Sequence, residues 1–126
     1  MPKILIIDDE EMVRDVLRQT LEREGYDVQA AADGEKGLSL FETWKPDLVI
    51  TDILMPGKEG LETIRELRAV DPDVQIIAIS GGGDRGDLNF LRAASMFGAV
   101  RTLSKPISRD DLLPMVRDIV GEPDGD

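Results

Sequence analysis

Asp52 stands at the end of the apolar run 48–50, a stretch suited to a dry interior, with Met55-Pro56-Gly57 turning the chain close behind it. A carboxylate so placed is costly unless it is paired, metal-bound or protonated. The same pattern recurs along the chain. Asp8-Asp9 closes the apolar run 4–7, Ser80 closes the run 74–79, and Lys105 beside Pro106 follows the short run 100–103. If these run ends meet at one edge, three carboxylates are crowded together, and a hard divalent cation is the simplest relief of their repulsion. Oxygen-only ligands favour magnesium, manganese or calcium. A small set of carboxylates that leaves room for waters and a phosphoryl oxygen suits Mg2+ best. Ser80 can donate to one phosphoryl oxygen and Lys105 can neutralise another. Asp52 is then a candidate nucleophile toward phosphorus.

Each of these residues has a plainer reading when taken alone. Asp8-Asp9 suits the start of a helix, where acids favour the cap and first turn. Ser80 would be a loop hydroxyl and Lys105 a surface amine with a buried stem. Convergence at one edge is what favours chemistry over these readings. The glycine run 81–83 is not a Walker-type phosphate loop, because no Gly-Lys-Ser/Thr follows at the required spacing.

Composition removes most competing chemistries. The chain has neither cysteine nor histidine, so disulfides, thiolates, serine–histidine triads and histidine–zinc sites are all excluded. A formal net charge of −11 opposes phosphate backbones and anionic lipids, and the scattered Lys and Arg residues form no basic patch. No partner among nucleic acids or membranes is expected. No apolar stretch approaches the length of a membrane span and no signal-peptide layout opens the chain, so the cytoplasm is the expected compartment.

The elements that must position these residues are legible in the spacing of apolar side chains. Strands are expected over 3–7, 26–31, the segment ending at Asp52, 74–79 and 100–103. Helices are expected over 11–24, from the Asp33-Gly34 turn to Pro46, over 60–70, over 87–97 and from Ser108 onward. Val13, Val16, Leu17 and Leu21 mark the inner face of the first helix, and Leu61, Ile64, Leu67 and Val70 that of the third. Asp27 and Gln29 put the second strand at a sheet edge. Gly25 is placed to end the first helix in a left-handed cap, and Ser108 with Asp111 resembles a capping box. Pro114 should kink the last helix or cost it a hydrogen bond. Five alternations of strand and helix argue for an α/β fold with a parallel sheet covered on both faces, and in such sheets the crevice lies beyond the strands' carboxyl ends. One domain is expected over 1–121, with a frayed polar tail over 122–126.

The segments IIDDE, VITDILMPGKEGLE, IIAIS and LSKPI stand in an order and at separations that resemble a response-regulator receiver domain, the phosphoacceptor module of two-component signalling. The resemblance spans residues 3 to 120. It implies a flavodoxin-like (βα)5 three-layer sandwich with strand order 2-1-3-4-5. It implies phosphorylation of Asp52 by a histidine kinase or phosphotransfer protein, with self-dephosphorylation in place of substrate turnover. Asp9 and Asp52 would ligate Mg2+ directly, Asp8 through water, and the backbone carbonyl of Leu54 would complete the protein's share. Lys105 would precede a cis Pro106. The fourth helix, fifth strand and fifth helix would carry the signal to an effector protein or to a second copy of the chain. Ser80 belongs to the switch of this family, whereas Thr102 replaces the aromatic ring common at its position, so the signal is expected to pass through the loop after Ser80. A stand-alone receiver is expected, with no room for a DNA-binding output domain. The rivals are an unphosphorylated pseudo-receiver used for docking, an aspartate-nucleophile phosphatase, which the apolar Leu54 two residues after Asp52 disfavours, and a flavin-binding module, which the acidic crevice would repel.

Overall fold

The computed structural model describes residues 2–53, 60–80 and 101–123, with backbone alone at 60, 61 and 80. Strand β1 (Lys3–Ile7) leads into helix α1 (Glu11–Arg23), β2 (Asp27–Ala31), α2 (Gly34–Trp44), β3 (Leu48–Asp52) and α3 (Gly60–Val70). β4 (Ile76–Ser80), β5 (Arg101–Ser104) and α4 (Arg109–Val120) follow. The helix expected over 87–97 lies outside the described residues. All neighbouring strands run parallel, and the sheet order is β2-β1-β3-β4-β5. This is the flavodoxin-like order, with β2 at an edge as its polar residues suggested.

Uninterrupted apolar runs become strands here because both faces of the sheet are covered. Successive side chains point to opposite sides, so Ile4, Ile6, Leu48, Ile50, Ile77 and Ile79 enter one core with Leu17 and Leu21 of α1 and Leu112 and Val116 of α4. Leu5, Ile7, Val49, Ile76 and Ala78 enter the other, with Phe41 of α2 and Ile64 and Leu67 of α3. α2 approaches β1 closely because Gly37 has no side chain. A Cβ added at Gly37 would lie 2.7 Å from Ile7 Cγ1.

Several helix ends follow the sequence, and several depart from it. Gly25 takes φ of 103° and closes α1, and Ser108 Oγ accepts the Asp111 N–H at 3.1 Å at the start of α4. The Asp33-Gly34 pair is a helix cap and not a free turn, since Asp33 Oδ1 accepts the Lys36 N–H at 2.9 Å. α2 ends on Lys45 in the left-handed region at φ of 54°, a residue without glycine's freedom. Pro114 lies inside α4, which runs on to Val120, and having no N–H it costs the helix one hydrogen bond, as expected. Val16 and Val70, expected on inner faces, are 57% and 50% exposed. Each lies at the margin of its helix's apolar stripe, and the sheet covers only the centre of that stripe.

Packing continues past α4. Glu24 Oε2 accepts from Arg109 at 2.9 Å and its Oε1 from Arg117 at 2.7 Å, which ties the end of α1 to α4. The Tyr26 hydroxyl donates to Gly121 O at 2.8 Å; burial raises its pKa. Pro123 is buried against Gly25. Glu122 lies 3.5 Å from Arg117 but stays exposed, so of the expected frayed tail it is Pro123 that is packed.

Candidate functional site

The strand register decides where the polar run ends meet. Ile7 pairs with Thr51, Asp52 with Ile79, and Ser80 with Ser104, so the ends of β1, β3, β4 and β5 are level. Asp8, Asp52 and Lys105 therefore share one carboxyl-terminal edge, together with the Ser80 backbone. The ladder holds up to that edge, with Asp8 N–H donating to Ala31 O at 3.1 Å and Ile53 N–H to Ile79 O at 3.0 Å. Backbone hydrogen bonding thus fixes both buried acids.

Asp8 is fully buried and Asp52 is 2% exposed. The Lys105 ammonium answers both charges, donating to Asp52 Oδ2 at 2.9 Å and lying 3.3 Å from Asp8 Oδ2. A third acid joins them: Lys105 also donates to Glu10 Oε1 at 2.6 Å. Burial alone would lower the lysine pKa, but the bonds to Glu10 and Asp52 and the fields of Asp52 and Asp8 outweigh it, and the pKa is raised. Asp8 is pushed up to about 6 from 3.8, chiefly by loss of water around its carboxyl; the Glu10 N–H opposes this and the Asp52 charge adds to it. That N–H donates to Asp8 Oδ1 at 2.8 Å, and the Arg14 guanidinium holds the Asp8 carbonyl at 2.8 Å. The Lys105–Pro106 peptide is cis.

The side chains fit a hard divalent cation. Asp8, Asp9, Glu10 and Asp52 each offer an oxygen, all within 4.8 Å of one another, and Asp8 Oδ2 is buried without a hydrogen-bond donor. Oxygen-only donors of this kind, with several negative charges, match Mg2+ and its relatives and not zinc or copper.

This arrangement invites comparison with known proteins. The family described as the response regulator receiver domain matches residues 4–117. The chain belongs to that family. As a receiver, it is 36% identical over 115 residues to the response regulator MprA of Mycolicibacterium vanbaalenii, covering 91% of this chain and 48% of that protein. The receiver thus spans about half the length of the first curated relatives it matches. It is 30% identical to the sporulation initiation phosphotransferase F of Bacillus subtilis, covering 91% of this chain and 90% of the relative. A crystal structure of a response regulator receiver domain protein from Clostridium thermocellum superposes with a TM-score of 0.87 at 33% identity, covering 95% of this chain and 94% of that one. Receivers of this family generally bind Mg2+ at an acidic pocket, and this chain holds an acidic cluster at the carboxyl-terminal edge of its sheet.

The structure brings together Asp8, Asp9, Asp52 and Lys105, all anticipated from the sequence. Leu54 and the glycines 81–83 lie outside the described residues, and at Ser80 the backbone alone is described. Thr102 is half-buried on β5, paired with Ala78. Glu10 was missed. Its signal was present as a glutamate at the residue before α1, a position where Ser, Thr, Asp or Asn serves better, and its side chain makes no capping bond.

Proposed function

We propose that this receiver accepts a phosphoryl group on Asp52 from the phosphohistidine of a sensor histidine kinase or phosphotransfer protein, in a Mg2+-dependent reaction. The observation that carries this reading is a buried carboxylate at the end of the central strand with an ammonium 2.9 Å away, in a pocket rich in oxygen ligands. An Asp52 oxygen forms the new bond to phosphorus while the donor's phosphorus–nitrogen bond breaks and imidazole leaves. Asp8, Asp9 and Asp52, with the Leu54 carbonyl, would hold Mg2+, which when bound offsets the repulsion between carboxylates and phosphoryl oxygens. Lys105 turns from the Asp52 carboxylate to a phosphoryl oxygen, and the Ser80 hydroxyl donates to another. Attack of water on phosphorus then restores the carboxylate and releases phosphate, which gives self-dephosphorylation and no turnover of an outside substrate.

The name of the Bacillus subtilis relative, a phosphotransferase, supports a role in passing a phosphoryl group between proteins. We place that role in the cytoplasm. The phosphorylated state would be read by an effector protein, or by a second copy of the chain, at the face that the sequence leads one to expect for the fourth helix together with β5 and α4. With Thr102 in place of a swinging ring, Ser80 carries the change. Ser80→Ala should still accept phosphate yet blunt the amide shifts of residues 81–97; shifts as large as in the unmutated protein would remove Ser80 from the switch.

Intact mass after incubation with acetyl phosphate and Mg2+ tests the main reading. One phosphoryl group should appear on the unmutated protein and none on Asp52→Asn or in the presence of a chelator. Equal labelling of Asp52→Asn, or a folded protein that takes no label from any phosphodonor, would overturn it.

A further inference from the structure

Glu10 occupies an unusual position for a residue with so short a contact. It is the last residue before α1, its backbone is extended, and its N–H is already bound by Asp8. Its side chain makes no bond to the helix it precedes. Although 59% exposed, it reaches across the pocket mouth to Lys105 at 2.6 Å, while the lysine itself is only 14% exposed. Of the three carboxylates around the ammonium, the exposed one lies nearest, with Asp52 at 2.9 Å and Asp8 at 3.3 Å.

A divalent cation and the ammonium compete for the same oxygens. Lys105 lies against Asp52 and Asp8, two of the residues that would hold Mg2+, so a cation entering there must loosen the lysine from both. Two cations among three carboxylates repel each other across a few ångströms, and an ammonium displaced toward the apolar side chains of Val13, Leu17 and Ile107 would be uncompensated. Glu10 offers the alternative. It can keep Lys105 at the rim, still charge-paired and still close to Asp52, while the inner carboxylates turn to the metal.

We propose that Glu10 is a positioning residue that holds Lys105 at the pocket mouth and so makes the Asp8–Asp52 pair accessible to Mg2+. This rests on the metal-dependent reading given above. Glu10 acts through the lysine and not as a ligand in its own right.

A double-mutant cycle on Mg2+ affinity, read by isothermal titration calorimetry without any phosphodonor, tests it. Glu10→Gln should weaken Mg2+ binding about three- to fivefold, the scale of a partly exposed charge pair. Lys105→Met should strengthen binding, because the competing cation is gone. In the Lys105→Met background, Glu10→Gln should then have a clearly smaller effect than in the unmutated protein. A loss from Glu10→Gln as large or larger without Lys105 would show that Glu10 acts on the metal directly and would overturn the proposal, as would no loss in the unmutated background. The unmutated protein separates the two readings. If it fails to bind Mg2+, the metal-dependent function fails and this inference with it; if it binds but the cycle is additive, only this inference fails. Circular dichroism of all four proteins excludes unfolding as the source of any change.

Discussion

Asp8 carries the clearest single-residue consequence. Its folded pKa of about 6 exceeds the ordinary 3.8, so the metal-free folded state holds that proton more tightly than the unfolded chain does. Its favourable contribution is complete below pH ~4 and is lost as pH rises through about 6. Metal-free Asp8→Asn should therefore melt higher than the unmutated protein at pH 7.5, by at most ~3 kcal/mol for a shift of about two units. Loss of the attraction to Lys105 reduces that gain. At pH 4 the gap should shrink to below about 1 kcal/mol, because Asp8 is then neutral in the folded state and only partly ionised in the unfolded chain. Scanning calorimetry at the two pH values, with chelator, decides this, and a gain of the same size at both would refute the assignment. Protonation of Asp8 removes a negative charge that attracts Mg2+, so Mg2+ binding to the unmutated protein should weaken as pH falls from 7.5 to 5, with proton release on binding near pH 6. Calorimetry in buffers of different ionisation enthalpy measures that release.

At the level of elements, Gly37 is where α2 meets β1 most closely. Gly37→Ala should cost about 1–3 kcal/mol through overpacking against buried Ile7, even though alanine is the better helix former. The urea midpoint should fall with an unchanged slope; a midpoint at or above that of the unmutated protein would show that the helix can retreat at no cost. Gly37 also marks a limit of the sequence. Its helix was visible from Leu38, Phe41 and Trp44, but nothing in a string of residues shows which position touches a neighbouring strand. The strands were legible because two-sided burial leaves continuous apolar runs, and the shared edge was legible because each run stops on a residue that could not be buried alone. Val16 and Val70 misled for a related reason: helical periodicity gives the direction of a stripe and not the width of the surface that covers it. Glu10 was hidden because a glutamate before a helix has an ordinary explanation, and only its meeting with Lys105, 95 residues away in sequence, supplies the other one.

For the molecule as a whole, the sheet separates two environments. The acidic pocket lies beyond the carboxyl ends of the strands, whereas Trp44 lies near their amino ends, where Lys3 donates to its carbonyl at 3.0 Å and sits 5.8 Å over its ring. The single tryptophan should therefore be almost blind to Mg2+. Titration with saturating Mg2+ should change its emission by no more than a few per cent even where calorimetry shows binding, and a large quench would mean that the cation is felt through the whole sheet. The anchoring of Pro123 beside Gly25 belongs to that same quiet end. α4 has 12 residues and so spans about 18 Å back from the lysine loop. An affinity handle or fluorescent reporter grafted after Pro123 would consequently leave from the rear of the molecule. It would neither crowd an incoming donor nor report on it by proximity, and any cargo joined there would have to be addressed along the helix and not across the cleft.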